Sequence, residues 1–215
     1  MAKIYLKGNI MGFVGFFQDG GAFMYIILVV LAVGLAIAIE RFIYIAKTQG
    51  KTKKVWEQLV PMLKAEDYAR AMKLTESVKT PLSTMLNYGF ARKHSNSPRA
   101  SIESAMEEGM MEVMPELEQR THYLATYANI ATLLGLLGTI IGLIDAFTAV
   151  ASADPAEKAD LLSASISVAM NTTAFGLVAA IPLILIHSYL VTKTARLVDN
   201  IEMAAVKCLN LISKD

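Results

Sequence analysis

Several threonines, Thr139, Thr172 and Thr173 above all, and the aspartate Asp145 give this chain polar oxygens inside otherwise apolar stretches. Thr139 lies in Ala125 to Ala151, ATYANIATLLGLLGTIIGLIDAFTAVA, where Ala128, Thr132, Gly135, Thr139, Gly142, Ala146 and Ala149 recur at alternating spacings of four and three. That is the period of one helix face, and the face is small and partly hydroxylated from end to end. Ser165, Ala169, Thr172, Gly176 and Ala179 repeat the device, with Thr173 and Ala180 alongside. Hydroxyls on such a stripe can ligate or relay a small cation. Small side chains at the same spacing also let another helix approach closely. The residues leave both readings open: a pore wall or a packing seam.

Proton transport across a membrane generally uses a titratable relay, most often a carboxylate. Between residues 122–151 and 161–192 the chain offers one, Asp145. It lies within about 9 Å of the predicted helix end by helix rise, at an outer mouth rather than mid-membrane. It is read either as a polar cap or as a group attracting cations to the entrance. His122 and His187 fall near the opposite ends and read as interfacial. A threonine hydroxyl solvates an ion but does not carry a proton's charge across alone, so a channel built from this chain needs a carboxylate from a partner helix.

The elements that must position these groups follow from hydropathy. The chain has 215 residues, is 54% hydrophobic, carries a net charge of +1 and contains three long apolar runs. That composition describes an all-α integral membrane protein with one modest polar domain, and the neutral charge gives no case for nucleic acid. Residues 1–20 read as an interfacial amphipathic segment. Residues 21–46 form transmembrane helix 1, closed by Glu40 and Arg41, with Arg41 expected to snorkel towards headgroups and pair with Glu40 or a neighbouring chain. Lys47, Lys51, Lys53 and Lys54 put the following end in the cytoplasm.

Residues 47–121 read as a cytoplasmic helical domain, with turns at Lys79-Thr80-Pro81 and Asn96-Ser97-Pro98. Ile102, Met106, Met110, Val113 or Met114 and Leu117 then mark one face of a long helix expected to run unbroken from Arg99 to Ala151, with Pro115 a candidate kink. Glu103, Glu107, Glu108, Glu112, Glu116 and Glu118 fill its other faces. Residues 122–151 form transmembrane helix 2, 152–160 a short periplasmic connector, 161–192 transmembrane helix 3 and 193–215 a cytoplasmic tail. Three spans place the N-terminus outside and the C-terminus in the cytoplasm. Lone Cys208 reads as an inert thiol.

Soluble-enzyme readings lack their parts: the sequence has no phosphate loop, no paired Cys/His metal spacing and no nucleophile elbow. No cofactor or resident metal is implied. Inverted repeats of the secondary-transporter kind are not apparent in three unequal spans. LLGLLGTIIGLIDAF and SISVAMNTTAFGLVAAIP resemble the paired signatures of the ExbB/TolQ/MotA ion-channel subunits. The Glu40-Arg41 pair and the three-span layout resemble the ExbB/TolQ branch of that 5:2 motor family.

The resemblance implies a homopentamer in the bacterial inner membrane, enclosing a dimer of a single-span ExbD/TolR-like protein whose membrane aspartate supplies the missing carboxylate. It further implies a TonB/TolA-like transmitter and use of the H⁺ or Na⁺ gradient to energise an envelope process such as outer-membrane transport. By motif, Thr139 and Thr173 fall at the family's pore threonines. Val168 stands where many relatives carry a glutamate, and Thr172 where several proton-driven members have an apolar residue. Sodium must be ligated by oxygens, so the extra hydroxyl makes transient Na⁺ at Thr139, Thr172 and Thr173 an alternative to H⁺. The residues on the small stripes expected to line the pore are Thr132, Gly135, Gly142, Ser165, Ala169 and Gly176. A non-conducting oligomeric scaffold is the competing class.

Overall fold

The computed structural model describes residues 20–95 and 97–213, and the interfacial segment expected over residues 1–20 lies almost wholly outside them. Helix α1 runs Ala22–Lys64, α2 Tyr68–Ser77, α3 Pro81–His94, α4 Arg99–Glu118, α5 Thr121–Ser152 and α6 Lys158–Ile212. Helices α1, α5 and α6 carry apolar windows long enough to cross a membrane. With 43 and 55 residues, α1 and α6 run to roughly 65 and 80 Å, about twice or more the hydrocarbon thickness. Each continues without a break from apolar to polar sequence. Pro61 and Pro182 are accommodated inside them.

The chain divides into two compact units. The hairpin unit holds the chain up to Ala38 together with His122–His187. Here α1 buries Met24, Ile27, Gly34 and Ala38, a stripe at helical spacing. Gly34 gives close packing: a Cβ there would meet the Leu183 side chain at 2.8 Å and oblige that buried leucine to shift. The opposite surfaces stay apolar and open, with Val29, Leu133, Ile140, Phe147, Val178 and Leu185 exposed. In water such a surface would be a liability; in hydrocarbon or against another membrane helix it is matched to its surroundings.

The bundle unit holds Ile39–Thr121 and the chain from Ser188 onward. Its core draws Val55, Leu59 and Leu63 from α1, Leu82, Leu86 and Phe90 from α3, and Ile102, Met106, Met110, Val113 and Leu117 from α4. Leu197, Ile201 and Ala204 come from α6. The α4 face is the one its periodicity marks, with Val113 rather than Met114 buried. Asp67 caps α2 by accepting from the Arg70 amide at 3.1 Å, and Thr80 caps α3 by accepting from the Ser83 amide at 3.1 Å, with Pro81 next in the first turn. Helices α3 and α4 cross closely because Gly89 faces Met106 and Gly109 faces the Met85 backbone. Arg99 ties the start of α4 to α6 through Asn210 (2.6 Å) and Ser213 (2.9 Å). Cys208 is fully buried and its thiol is pushed up to about 12 by burial, so the thiolate needed for reactivity is suppressed.

Two expectations are corrected in this unit. The single helix expected from Arg99 to Ala151 is interrupted at Gln119 and Arg120. The helix passes through Pro115 and ends at Glu118, the Gln119 amide donates to the Pro115 carbonyl at 3.0 Å, and Arg120 turns left-handed at φ 62°. Arg41 does not snorkel. It is 2% exposed, donates to the Leu117 carbonyl and lies 4.7 Å from the centre of the Tyr44 ring. Glu40 pairs instead with Arg120 at 3.3 Å. A carbonyl left open by the end of α4 attracts a cation, which explains why the guanidinium turns inward.

Candidate functional site

The two small stripes meet each other. A Cβ on Gly135 would sit 3.2 Å from the Thr173 Cα, 3.3 Å from the Gly176 Cα and 3.3 Å from the Thr172 carbonyl. One on Gly176 would meet the Ala131 carbonyl at 2.8 Å, and one on Gly142 the Ala169 Cβ at 2.9 Å. Backbone therefore lies nearly on backbone along the α5–α6 seam, which a larger side chain at any of these positions would prise apart. Gly135, Gly142, Ala169 and Gly176 are brought together within one chain. The packing-seam half of the sequence reading is a feature of the protomer itself.

At the middle of that seam stand two half-buried hydroxyls. Thr139 donates to the Gly135 carbonyl four residues back at 3.1 Å, and Thr173 reaches the same carbonyl across the seam at 2.9 Å. The Thr139 and Thr173 hydroxyls also hydrogen-bond to each other. Two hydroxyl protons serve these three contacts. If one hydroxyl donates to Gly135 and the other to its neighbour, both protons are used and one threonine oxygen keeps only open lone pairs. So arranged, the cluster presents an acceptor.

Thr172, one residue away, is placed differently. It is 2% exposed, donates towards the Gly20 carbonyl (2.8 Å) and the Val168 carbonyl (3.0 Å), and packs its methyl where a Gly138 side chain would be. Gly20 and Gly138 were not singled out from the sequence; the signal was the Gly135, Gly138, Gly142 spacing. Thr132 returns its hydroxyl to the Ala128 carbonyl at 3.1 Å, and Ser165 is half-buried. Asp145 is exposed and makes no ion pair among the described residues. It follows Thr139 by six residues, about 9 Å along the helix. His122 is exposed against the Tyr123 ring at 4.2 Å, and His187 is half-buried. Among the described residues no group of three or more His, Cys, Asp or Glu could hold a metal ion.

Three helices apolar and long enough to cross a membrane, with a seam of small residues centred on paired hydroxyls, describe a helical protein of the polytopic membrane class. The chain belongs to the MotA/TolQ/ExbB proton channel family, which matches residues 77–203. Its relatives place it on the ExbB/TolQ side of that family. It is 28% identical to an ExbB homolog of Methanothermobacter thermautotrophicus across 87% of this chain and 66% of the relative. It is 25% identical to the biopolymer transport protein ExbB of Pseudomonas putida, across 88% of this chain and 61% of the relative. Over 98 residues, 44% of this chain and 42% of the relative, it is 35% identical to the Tol-Pal system protein TolQ of Haemophilus influenzae. The chain thus spans less than two thirds of the length of these relatives. Members of that family are channel or scaffold proteins rather than enzymes.

Proposed function

We propose that this chain is the ion-conducting subunit of an ExbB/TolQ-type motor. Five copies surround two single-span ExbD/TolR-like helices in the bacterial inner membrane, with the N-terminus periplasmic and the C-terminus cytoplasmic. Protons moving down their gradient protonate and release the partner's aspartate, and the movement is passed through a TonB/TolA-like transmitter to an envelope process such as outer-membrane transport. The observation that carries this is the Thr139–Thr173 hydroxyl pair on the Gly135 carbonyl. A protonated carboxyl can donate into the open acceptor there, whereas a carboxylate meets no free donor until a hydroxyl rotates. The pair therefore favours the neutral form of a docked aspartic acid, the form that must pass an apolar wall. Asp145 attracts cations at the outer mouth. Gly142, Ala169 and Gly176 hold the two helices close enough to keep the hydroxyl pair together, with Thr132 and Ser165 half-buried along the same stripes.

Sodium is the less supported ion. Thr172, the additional oxygen it would use, is buried on Gly20 and Gly138 rather than beside the paired hydroxyls. Thr172→Ala separates the two: loss of Na⁺ dependence would restore the sodium reading. The scaffold reading is favoured by the stripes packing on each other, since a seam alone explains the glycines. It accounts for the central threonines as bonds across the seam, so the two readings part on whether their loss stops ion flow while assembly survives. The test is native mass measurement of the purified chain with its partner, followed by proton uptake into liposomes carrying the wild type or Thr139→Val. A stable monomer or dimer, or unaltered uptake in the variant, would overturn the proposal.

A further inference from the structure

We propose that the α4–α5 junction is a two-state latch in which the Arg41 guanidinium and the Thr121 main chain compete for one acceptor, the Leu117 carbonyl. In a continuous helix that carbonyl receives the amide four residues on, which is Thr121. Here Arg41 takes it and α4 stops. Thr121 is left 5% exposed with its hydroxyl buried and unpaired, and Arg41 keeps a buried, unpaired Nε. Both are unsatisfied in the broken state, at a cost in free energy that rearrangement would recover.

Thr52 and Thr194, also inside helices, stay buried and unpaired. Six helical threonines show one alternative: Thr126, Thr132, Thr139, Thr148, Thr172 and Thr192 donate their hydroxyls to the carbonyl four residues back. Thr121 would do the same to Leu117 once Arg41 withdrew, so one movement satisfies its amide and hydroxyl together. Arg120 leans the same way, since its left-handed backbone is strained for a residue with a side chain and relaxes in a helix. The broken state is held by three contacts from a five-residue stretch of α1, Glu40 to Tyr44. Arg41 donates to Leu117, Glu40 pairs with Arg120 at 3.3 Å, and the Tyr44 hydroxyl donates to Glu116 at 2.9 Å. The apolar and helical pattern from Arg99 to Ala151 is that of the continuous state.

Amide exchange of the full chain in its assembled form, resolved at residues 116–122 and corrected for intrinsic rates, tests the latch. Arg41→Gln and Arg120→Ala both favour the continuous helix and slow exchange at the Thr121 amide on the order of tenfold, because that amide gains its helical acceptor. Arg120→Gly, which relieves the left-handed strain instead, leaves Thr121 exchanging no slower than in wild type. If Arg41 only caps α4, its removal frays the junction and exchange there quickens; faster or unchanged exchange at Thr121 overturns the proposal. Should Arg41→Gln fail to assemble, Arg120→Ala decides alone. Exchange requires no ion flow, so this proposal and the ion path proposed above fail separately.

Discussion

Replacing Thr173 by valine separates a hydroxyl that works from one that merely packs. The variant loses the 2.9 Å bond across the seam to the Gly135 carbonyl and the contact with Thr139. Interhelical hydrogen bonds of this kind in membranes average about 0.6 kcal/mol and reach about 1.7. Nothing buried is orphaned, because Thr139 still donates to Gly135 at 3.1 Å. A methyl in place of the hydroxyl needs about 3.3 Å or more from the carbonyl oxygen, so the seam shifts by a few tenths of an ångström. The expected stability loss is thus about 1–2 kcal/mol, small enough for assembly to persist. Function should suffer more, since the acceptor for the partner's carboxyl is dismantled: proton uptake falls at least about tenfold, equivalent to ~1.4 kcal/mol on the barrier. The assay is an acid pulse on liposomes holding the chain and its partner, with a lumenal pH dye, beside a denaturant titration of the same sample. Wild-type uptake in an intact assembly would refute the reasoning. So would a stability loss beyond about 3 kcal/mol, which would assign the hydroxyl to structure.

Three further outcomes are expected. Gly109→Ala destabilises the bundle unit by about 1–3 kcal/mol despite its better helix propensity, because the new Cβ lies 2.8 Å from the Met85 Cα, whereas Gly50→Ala, with open space around it, stabilises by about 0.5–1 kcal/mol; thermal unfolding compares them. Cys208 resists maleimide in the folded chain at neutral pH and reacts on unfolding. Because burial raises its thiol from 9.0 to about 12, its contribution to stability is present below pH 9 and fades between 9 and about 12, measured as the difference from Cys208→Ala. Asp145→Asn leaves the assembly intact and lowers ion-driven activity, an effect that weakens with added salt as expected of an exposed charge.

Much of this protein is written in periodicity. The three spans follow from apolar runs, the α4 core face from Ile102 to Leu117, the start of α3 from Thr80-Pro81, and the small stripes from spacings of four and three. Each depends on local chemistry, because a 3.6-residue repeat and a capping hydroxyl act within one helix. What the repeat does not say is which neighbour a face meets. Thr172 and Thr173 are adjacent in sequence, about 100° apart around α6, and only packing sends one to Gly20 and the other to Gly135 and Thr139. The sequence likewise favours a continuous helix through Gln119 and Arg120, with Arg41 at the water interface. The helix instead stops at Glu118, where Arg41, 76 positions back in the chain, donates to the Leu117 carbonyl. Local propensity sets which conformations are available at such a junction, and a contact from a distant helix selects among them because it satisfies a polar group that the local chain leaves open.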